Sequence, residues 1–345
     1  MATIKDVARV ARVGVSTVSR VLNQSGYFDD DTARRVRDAV AKLGYRKNVH
    51  WARLKRQSAQ TVCFLLGNRE QLNSMQMRLL VAAEKAFEEE GFDLAFARFS
   101  YSANCPAAEM ALPRLLAQNG TVDGVVLAGV HHRNLIEALE RRGLPYAMLG
   151  SNFAGPAELL KYNTVSYDDR SATEEAARYL LRMGHKRIAF AGNARFLWFR
   201  RRQEGYEAAM KAYRLAPMPV DEDWRVTTVE YGQLAVERLL RQKEPPTAIL
   251  AANDEVAAGA WRELVRRGVR IPGQMSLVGF GDRAEFSILE PALTTVTVFE
   301  EQLGERLARM LLERLRTGKP AESVVFPCRL IERGSSAPPV AGEGK

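Results

Sequence analysis

The sequence predicts a small all-α module followed by a larger α/β body built from two doubly wound, mainly parallel sheets. Three observations support this prediction. The 345 residues exceed what one hydrophobic core usually organises. Residues 1–58 contain thirteen Lys/Arg and five Asp/Glu, so they carry +8 of the net charge of +9. From residue 61 onward, short apolar runs alternate with amphipathic stretches, a pattern typical of parallel strands covered by helices.

Composition and motifs exclude several classes of protein. Apolar residues make up 46% and charged residues 26%, an ordinary globular mixture. No run approaches the ~20 apolar residues of a membrane span, and the start MATIKDVARV lacks a signal sequence's apolar segment, so we expect a cytoplasmic protein without membrane contact. Cys63, Cys105 and Cys328 are too few and too scattered for a disulfide framework or a zinc site. Phosphate-loop, dinucleotide-binding, nucleophile-elbow and zinc-protease motifs are missing, so we expect neither an enzyme nor a cofactor.

The basic module is predicted to contain three short helices. Thr3 is a natural N-cap for a first helix that stops at 12–14, and a second helix covers 15–23. After a loop, Asp29 caps a third helix over 32–43, which Gly44 ends. The positions expected to face inward are Ile4, Val7, Ala8, Ala11, Val18, Val21, Leu22, Ala33, Val36, Val40 and Leu43.

The body is predicted from its alternating elements, with residues 48–60 as a linker before it. The expected strands are TVCFLL, VDGVVLAG, LPYAMLG, NTVSYD, RIAFAGN, TAILAAND and MSLVGFG. The expected helices are Leu79–Glu90, Ala172–Met183, Gly205–Ala212, Ala235–Leu240 and Ala257–Arg267. The final stretch SSAPPVAGEGK has the composition of a disordered tail, which we place at 339–345.

Two helices joined by a short turn within the first 25 residues of the basic module indicate a helix-turn-helix, whose second helix enters the DNA major groove. The strings TIKDVARVA and VSTVSRVLN resemble the headpiece of the lactose-repressor (LacI/GalR) family. The resemblance continues in family order through RMGHKRIAFAGN, RQEGYEAAM, AILAANDEVAAGA, SLVGFGD and LEPALTTV, so it covers nearly the whole chain.

The resemblance implies a headpiece at 1–47 and a periplasmic-binding-protein-like body with three crossovers between its subdomains. Residues 61–161 with 293–322 would form the N-subdomain. Residues 162–292 with 323–338 would form the C-subdomain. A homodimer would read a palindromic operator on double-stranded DNA, and a small-molecule effector would bind between the subdomains.

The family pattern assigns the DNA contacts. Val15 and Ser16 begin the recognition helix and would read bases, as would Arg20 one turn later. The residues expected at phosphates are Thr3, Thr17, Ser19 and Asn23, although helix-surface solubility also explains Thr17 and Ser19. The turn departs from the family: Arg12 replaces a glycine and Gly14 replaces a serine N-cap, so Arg12 must adopt a backbone that glycine accepts more easily.

The linker departs further, because Lys47 replaces the family's proline and Trp51 replaces an alanine. Leu54 matches the leucine that wedges into the operator's minor groove. Trp51 either adds to this wedge, blocks close pairing of two linker helices, or packs on the body.

The cleft residues are assigned in the same way. Arg202, in R-Q-E-G-Y, matches the arginine that grips effector hydroxyl or carboxylate groups. The other expected cleft residues are Met75, Gln76, Phe196, Trp198, Asn253 and Asp282, while Asp254 is equally a helix cap or a ligand. Gly281 stands where the family has an effector-binding acid. Because this leaves Arg202 without a nearby carboxylate, we expect an anionic effector such as a sugar acid.

Other interpretations remain open. A body of this kind also suits a solute-binding protein for transport, although the basic headpiece disfavours it. A sugar-modifying or nucleotide-binding enzyme lacks its motifs here. A regulator controlled by a protein partner, or by no effector, fits the atypical cleft. His131-His132 is either a metal-binding pair or a solvated, hydrogen-bonded one.

Overall fold

A computed structural model of the chain describes residues 2–23, 28–43, 58–220 and 226–340. It divides into two compact units, Met1–Ala59 and Gln60–Lys345. The predicted Gly44 cap, and most of the predicted linker and tail, lie outside the described residues.

The first unit contains the three predicted helices, α1 (Ile4–Ala11), α2 (Val15–Asn23) and α3 (Asp30–Leu43). Thr3 and Asp6 form a capping box at the start of α1, each side chain accepting from the other's backbone N–H. Asp29 caps α3 by accepting from the Thr32 N–H at 2.8 Å. The capping prediction is confirmed, although α3 begins at residue 30 rather than 32.

The turn between α1 and α2 has the predicted strain. Arg12 adopts the left-handed conformation, with φ 54° and ψ 46°. The α1 helix therefore ends in the left-handed conformation that glycine commonly supplies at a helix C-terminus, but here an arginine must adopt it. Gly14 precedes α2 and has no side chain to cap it; its carbonyl accepts from the Thr17 and Val18 N–H groups.

Valines from all three helices meet in the core of this unit. Val7, Val18 and Val36 are fully buried. The remaining predicted inward positions with described side chains are buried or packed against this core: Ala8, Ala11, Val21, Leu22, Ala33, Val40 and Leu43. This confirms the helical spacing from which they were predicted.

The second unit contains two six-stranded sheets that define two lobes. The N-lobe sheet has the order β13-β7-β5-β3-β1-β2 and the C-lobe sheet the order β14-β12-β11-β10-β8-β9. The N-lobe strands are β1 (Thr61–Gly67), β2 (Asp93–Phe99), β3 (Gly124–Leu127), β5 (Tyr146–Leu149), β7 (Thr164–Tyr167) and β13 (Val324–Phe326). The C-lobe strands are β8 (Ile188–Ala191), β9 (Met218–Val220), β10 (Ala248–Ala251), β11 (Ser276–Gly281), β12 (Thr294–Thr297) and β14 (Arg329–Ile331). A small ribbon pairs β4 (His131–His132) with β6 (Phe153–Ala154).

Helices cover both sheets, and every pairing between the strands named above is parallel except that of β12 with β14. The helices of this unit are α4 (Ser74–Glu88), α5 (Arg114–Ala117), α6 (Arg133–Arg141), α7 (Asp169–Arg182), α8 (Leu197–Ala212), α9 (Thr228–Leu240), α10 (Asp254–Arg266) and α11 (Glu300–Thr317). The chain crosses between lobes after β7, after β12 and after β13, which confirms the three crossovers.

The predicted subdomain boundaries are wrong at all three crossovers. β7 and β13 were assigned to the C-subdomain, yet they pair with each other in the N-lobe sheet. β12 was assigned to the N-subdomain, yet it pairs with β11 in the C-lobe sheet. Each strand is only three or four residues long (TVSY, TTVT and VVF), so its own residues do not distinguish one sheet from the other.

The disorder expected of SSAPPVAGEGK from its composition is wrong for residues 335–337. Ser335 is fully buried, and its hydroxyl donates to the Leu277 carbonyl and accepts from the Thr294 N–H. The Ala337 carbonyl accepts from Ser276 and His185. This small polar segment is held by hydrogen bonds to the C-lobe sheet rather than by apolar packing, so composition underestimated its order. Residues 341–345 lie outside the described part.

Within the described ranges, no helix combines the length and apolar character needed to cross a bilayer.

Candidate functional site

Helix α2 presents a polar and basic outer face in the first unit. Val15 (42% exposed), Ser16 and Arg20 are exposed, while Val18 and Val21 face the core. Arg20 forms no ion pair with any described residue, so its guanidinium is available to a base or a phosphate. The structure therefore places the three predicted base-reading residues on one accessible surface.

The predicted phosphate contacts are more mixed. Thr3 is exposed, but its hydroxyl is engaged with Asp6 in the capping box. Thr17 and Ser19 are half-buried on α2. The Asn23 side chain lies outside the described part, as do Trp51 and Leu54, whose roles stay predictions.

Several exposed cations of this unit have no acidic partner among its described residues. Asp6 and Asp31 pair with Arg9, Arg34 and Arg35. The exposed residues left unpaired are Lys5, Arg12, Arg20, Arg37 and Lys42. Unpaired cations suit a polyanion, because each can neutralise a phosphate.

In the second unit, a cavity of about 170 Å³ lies where the carboxyl ends of strands from both lobes meet. Open α/β sheets usually bind ligands at this edge. The cavity contains six of the predicted cleft residues: Met75, Gln76, Phe196, Trp198, Arg202 and Asn253. The predicted cleft is therefore present as a shaped cavity.

Arg202 lies on α8, which approaches α7 closely. At Gly205 a Cβ would lie 2.1 Å from the Arg170 carbonyl oxygen, so glycine permits this approach. Arg202 is 6% exposed, donates to the Ala252 carbonyl, and stacks 3.6 Å from the Phe280 ring centroid. Its guanidinium is thus oriented before any ligand arrives.

The expectation that Arg202 lacks a nearby carboxylate is wrong. Asp169, at the start of α7, lies 3.7 Å from Arg202 Nε. Both Asp169 oxygens, however, accept from Arg201 at 2.8 and 2.9 Å. Two arginines therefore share one carboxylate, an arrangement that the linear spacing of these residues did not reveal.

The two carboxylates that line the cavity have arginine partners. Glu255 pairs with Arg283, and Glu300, 7% exposed, pairs with Arg78. Burial raises the pKa of Glu300, and Arg78 opposes this effect. Acidic groups reach the cavity from α10 and α11 although Gly281 supplies none.

Asn253 and Asp254 have separate tasks. Asn253 is the N-cap of α10 and accepts from the Val256 N–H at 2.9 Å. Asp254 is 1% exposed; its oxygens accept from the Thr295 hydroxyl and the Arg283 N–H. The helix cap is therefore Asn253, and Asp254 joins α10 to β12 and to the segment after β11.

Asp282 does not line the cavity, so that prediction is wrong. Gly281 and Asp282 have φ values of 135° and 52°, so the backbone changes direction at the end of β11. The Asp282 carboxylate accepts from Arg333 at 2.6 Å instead.

Sequence reasoning missed the other lining residues: Arg69, Asn73, Asn152, Tyr167, Phe199, Thr228, Glu255, Phe280, Arg283, Val298 and Glu300. One available signal was position, because Arg69 and Asn152 each follow a strand that the sequence predicted. The carboxyl ends of those strands mark the binding edge.

His131 and His132 lie in different environments. His131 is fully buried, while the His132 ring lies 3.4 Å from the Asn68 amide. Burial, and then His132, lowers the pKa of His131 to about 3, so it is neutral. The described residues contain no group of three potential metal ligands.

Comparison with known proteins agrees with this architecture. Residues 3–48 match the bacterial regulatory proteins of the lacI family, and residues 177–336 match the periplasmic binding protein-like domain. The HTH-type transcriptional regulator DegA of Bacillus subtilis (strain 168) is 30% identical over 345 residues, covering 97% of this chain and 98% of DegA.

Solved structures give the same result. The Lac repressor dimer bound to operator and the anti-inducer ONPF has a TM-score of 0.82 at 23% identity, over 97% of this chain and 99% of that one, which shows the fold. The CelR–cellobiose complex has a TM-score of 0.68 at 27% identity, over 97% and 100%.

A helix-turn-helix unit followed by a two-lobed body of this fold defines a class of DNA-binding transcriptional regulators. The chain belongs to the LacI family of bacterial regulatory proteins.

Proposed function

We propose that this protein is a cytoplasmic repressor that binds a palindromic operator as a homodimer and responds to a small, acidic, sugar-like effector in the cavity. The observation that carries the DNA-binding half is the accessible face of α2, where Val15, Ser16 and Arg20 lie together. Two such faces related by a dimer axis would read two half-sites, as the dimeric state of the operator-bound Lac repressor suggests.

The effector half rests on the preformed cavity between the lobes. Its polar groups converge on a wall in which Phe196 and Trp198 stack at 5.3 Å between centroids, as ligand sites require. CelR binds cellobiose in its solved complex, which supports a sugar-like ligand here. Ligand binding would change how the lobes are oriented and so bias DNA binding through the linker.

Selection of bound sequences from a random DNA pool by the full chain tests the DNA-binding half. We expect a palindromic consensus, one dimer per site by sedimentation, and much weaker binding to scrambled DNA. Enrichment of no consensus, or binding by a monomer, would contradict the proposal.

The effector half is tested on the selected operator by fluorescence anisotropy with neutral and acidic sugars. We expect an acidic sugar to change operator affinity at least tenfold in wild type, and the effect to be lost in Arg202→Ala. An operator affinity that no sugar changes would favour a regulator that is controlled by a protein partner or that has no effector.

A further inference from the structure

Three buried N–H groups at the cavity make no hydrogen bond to a described residue: Arg69 Nε, Asn152 Nδ2 and Arg202 Nε. Arg202 Nε has Asp169 at 3.7 Å, beyond hydrogen-bond distance. Asn152 is 3% exposed and Arg202 is 6% exposed, so water contributes little to either. A buried donor without an acceptor destabilises the folded state, because its hydrogen bond to water is lost and not replaced. All three are donors, so a ligand that satisfies them must present acceptor oxygens.

The charge of the cavity lining points to the same chemistry. Glu255 and Glu300 have arginine partners, and Asp169 is held by Arg201. Arg69, by contrast, forms no ion pair with any carboxylate in the described ranges. Burial lowers the pKa of Arg69, with Tyr167 in partial opposition, so an anion beside it would stabilise its charged form. Arg69 therefore has no carboxylate partner, and a second excess positive charge lies at Arg201 and Arg202, which share Asp169.

Aromatic rings orient the arginines without using their N–H groups. The Arg69 guanidinium lies 4.9 Å from the Trp198 centroid, and that of Arg202 lies 3.6 Å from the Phe280 centroid. A guanidinium stacked by its face keeps its N–H groups at its edge, where they match the two oxygens of a carboxylate or phosphate. Arg69 makes no side-chain hydrogen bond to a described atom, so its whole edge is available.

We infer that Arg69, Asn152 and Arg202 form an oxyanion subsite, and that Arg69 determines the preference for a ligand carrying a carboxylate or phosphate. The inference deepens the proposed function and depends on the same cavity. A volume of about 170 Å³ is below the ~300 Å³ typical of drug-sized sites, so the anionic group belongs to a compact molecule of monosaccharide size.

Isothermal titration of the full chain at constant ionic strength tests the subsite. The probes are D-glucuronate, D-galacturonate and D-glucose 6-phosphate, with D-glucose and D-galactose as neutral counterparts and inorganic phosphate as the bare anion. We expect wild type to bind at least one anionic sugar tenfold or more tightly than its neutral counterpart. The uronates and the phosphate ester separate carboxylate from phosphate recognition.

Arg69→Gln should lower the affinity for that anionic sugar at least tenfold and change the affinity for the neutral sugar by no more than about twofold. Arg69→Lys, which keeps the charge but loses the fork, should recover part of the loss. Arg200→Gln is the matched control: Arg200 is exposed on α8, bonds the Ala194 carbonyl, and does not line the cavity. It removes the same charge and should leave every affinity unchanged, and circular dichroism checks that each variant is folded.

Equal binding of anionic and neutral sugars by wild type, an unchanged anion affinity in Arg69→Gln, or no binding of any anionic probe overturns the inference. Operator affinity measured in parallel separates this outcome from failure of the proposed function. Anions that bind through Arg69 without changing operator affinity would refute effector control and leave the subsite standing.

Discussion

Arginine side chains in this protein differ in their exposure and in their partners. Arg20 is exposed on α2 without an acidic partner, whereas Arg9 on α1 is neutralised by Asp6. In the body, Arg202 is buried and oriented by Phe280 and the Ala252 carbonyl. The same residue type therefore supplies an exposed cation without an acidic partner, a surface ion pair and a buried, preoriented donor.

Arg20→Ala should weaken operator binding by ~1–3 kcal/mol and relax preference at one base pair in each half-site, if its guanidinium makes a bidentate contact with guanine. Competition binding with single-base operator variants measures both effects. Arg9→Ala serves as a control, because Asp6 already neutralises Arg9. A loss that is uniform over all sequences would assign Arg20 to a phosphate instead.

His131 should make the body less stable in mild acid. Its pKa is about 3 when folded, against ~6.5 when unfolded, so between these values the unfolded chain binds a proton that the folded chain excludes. Stability therefore falls as pH falls through this window, by about 2 kcal/mol between pH 7 and pH 5.

Urea denaturation at the two pH values should show this difference in wild type and its reduction in His131→Leu. His132→Gln is the comparison variant: His132 lowers the pKa of His131 and has a pKa lowered by burial, so its replacement should reduce the pH dependence less than His131→Leu does. An equal pH dependence in wild type and His131→Leu would show that other groups cause the acid sensitivity.

The elements of the first unit show how local sequence signals and strain coexist. α1 begins at a complete capping box and ends at Arg12 in a left-handed conformation. The turn is short because α2 must place Val18 and Val21 against Val7 of α1. Packing of the two helices therefore imposes the turn backbone, whatever residue stands there.

Arg12→Gly should stabilise this turn by about 1 kcal/mol, because a left-handed conformation costs an L-residue ~1–2 kcal/mol and glycine very little. Hydrogen exchange of peptides covering α1 and α2 in the full chain should slow accordingly. Arg12→Ala removes the same charge but keeps the strain, so it should not slow exchange. Equal exchange in both variants would mean that the turn is not strained.

At the scale of the whole molecule, charge and apolar cores divide between the two units. The first unit has its own valine core, and each lobe of the second has a sheet with fully buried strands such as β3 and β10. Nearly all the net positive charge precedes residue 59. DNA affinity and the stability of the body should therefore be separable.

Deletion of residues 1–58 should leave a folded dimer with no DNA affinity. In the full chain, operator affinity should fall by about a thousandfold or more between 50 and 200 mM salt, because neutralised phosphates release counterions. Sedimentation, circular dichroism and anisotropy measure these outcomes. An unfolded or monomeric fragment, or salt-independent binding, would contradict this division of charge and stability.

The sequence alone determined the features whose causes are local. Helix spacing placed Val7, Val18 and Val36 inward, Thr3 and Asp29 were recognisable caps, and seven apolar runs became strands. The family motifs located Arg202, and the loop before it supplied Phe196 and Trp198, two of the five aromatic residues that line the cavity. These features depend on neighbours within about one helical turn or one strand, so a linear pattern contains the information.

Tertiary structure alone decided what depends on distant partners. It assigned β7, β12 and β13 to their sheets, turned Asp282 toward Arg333, and brought Arg69 to Trp198 across the two lobes. Periodicity reports which face of an element is buried but not what it is buried against. That Arg69 has no ion pair among the described residues is visible only once the fold has paired Glu255, Glu300 and Asp169 with other arginines.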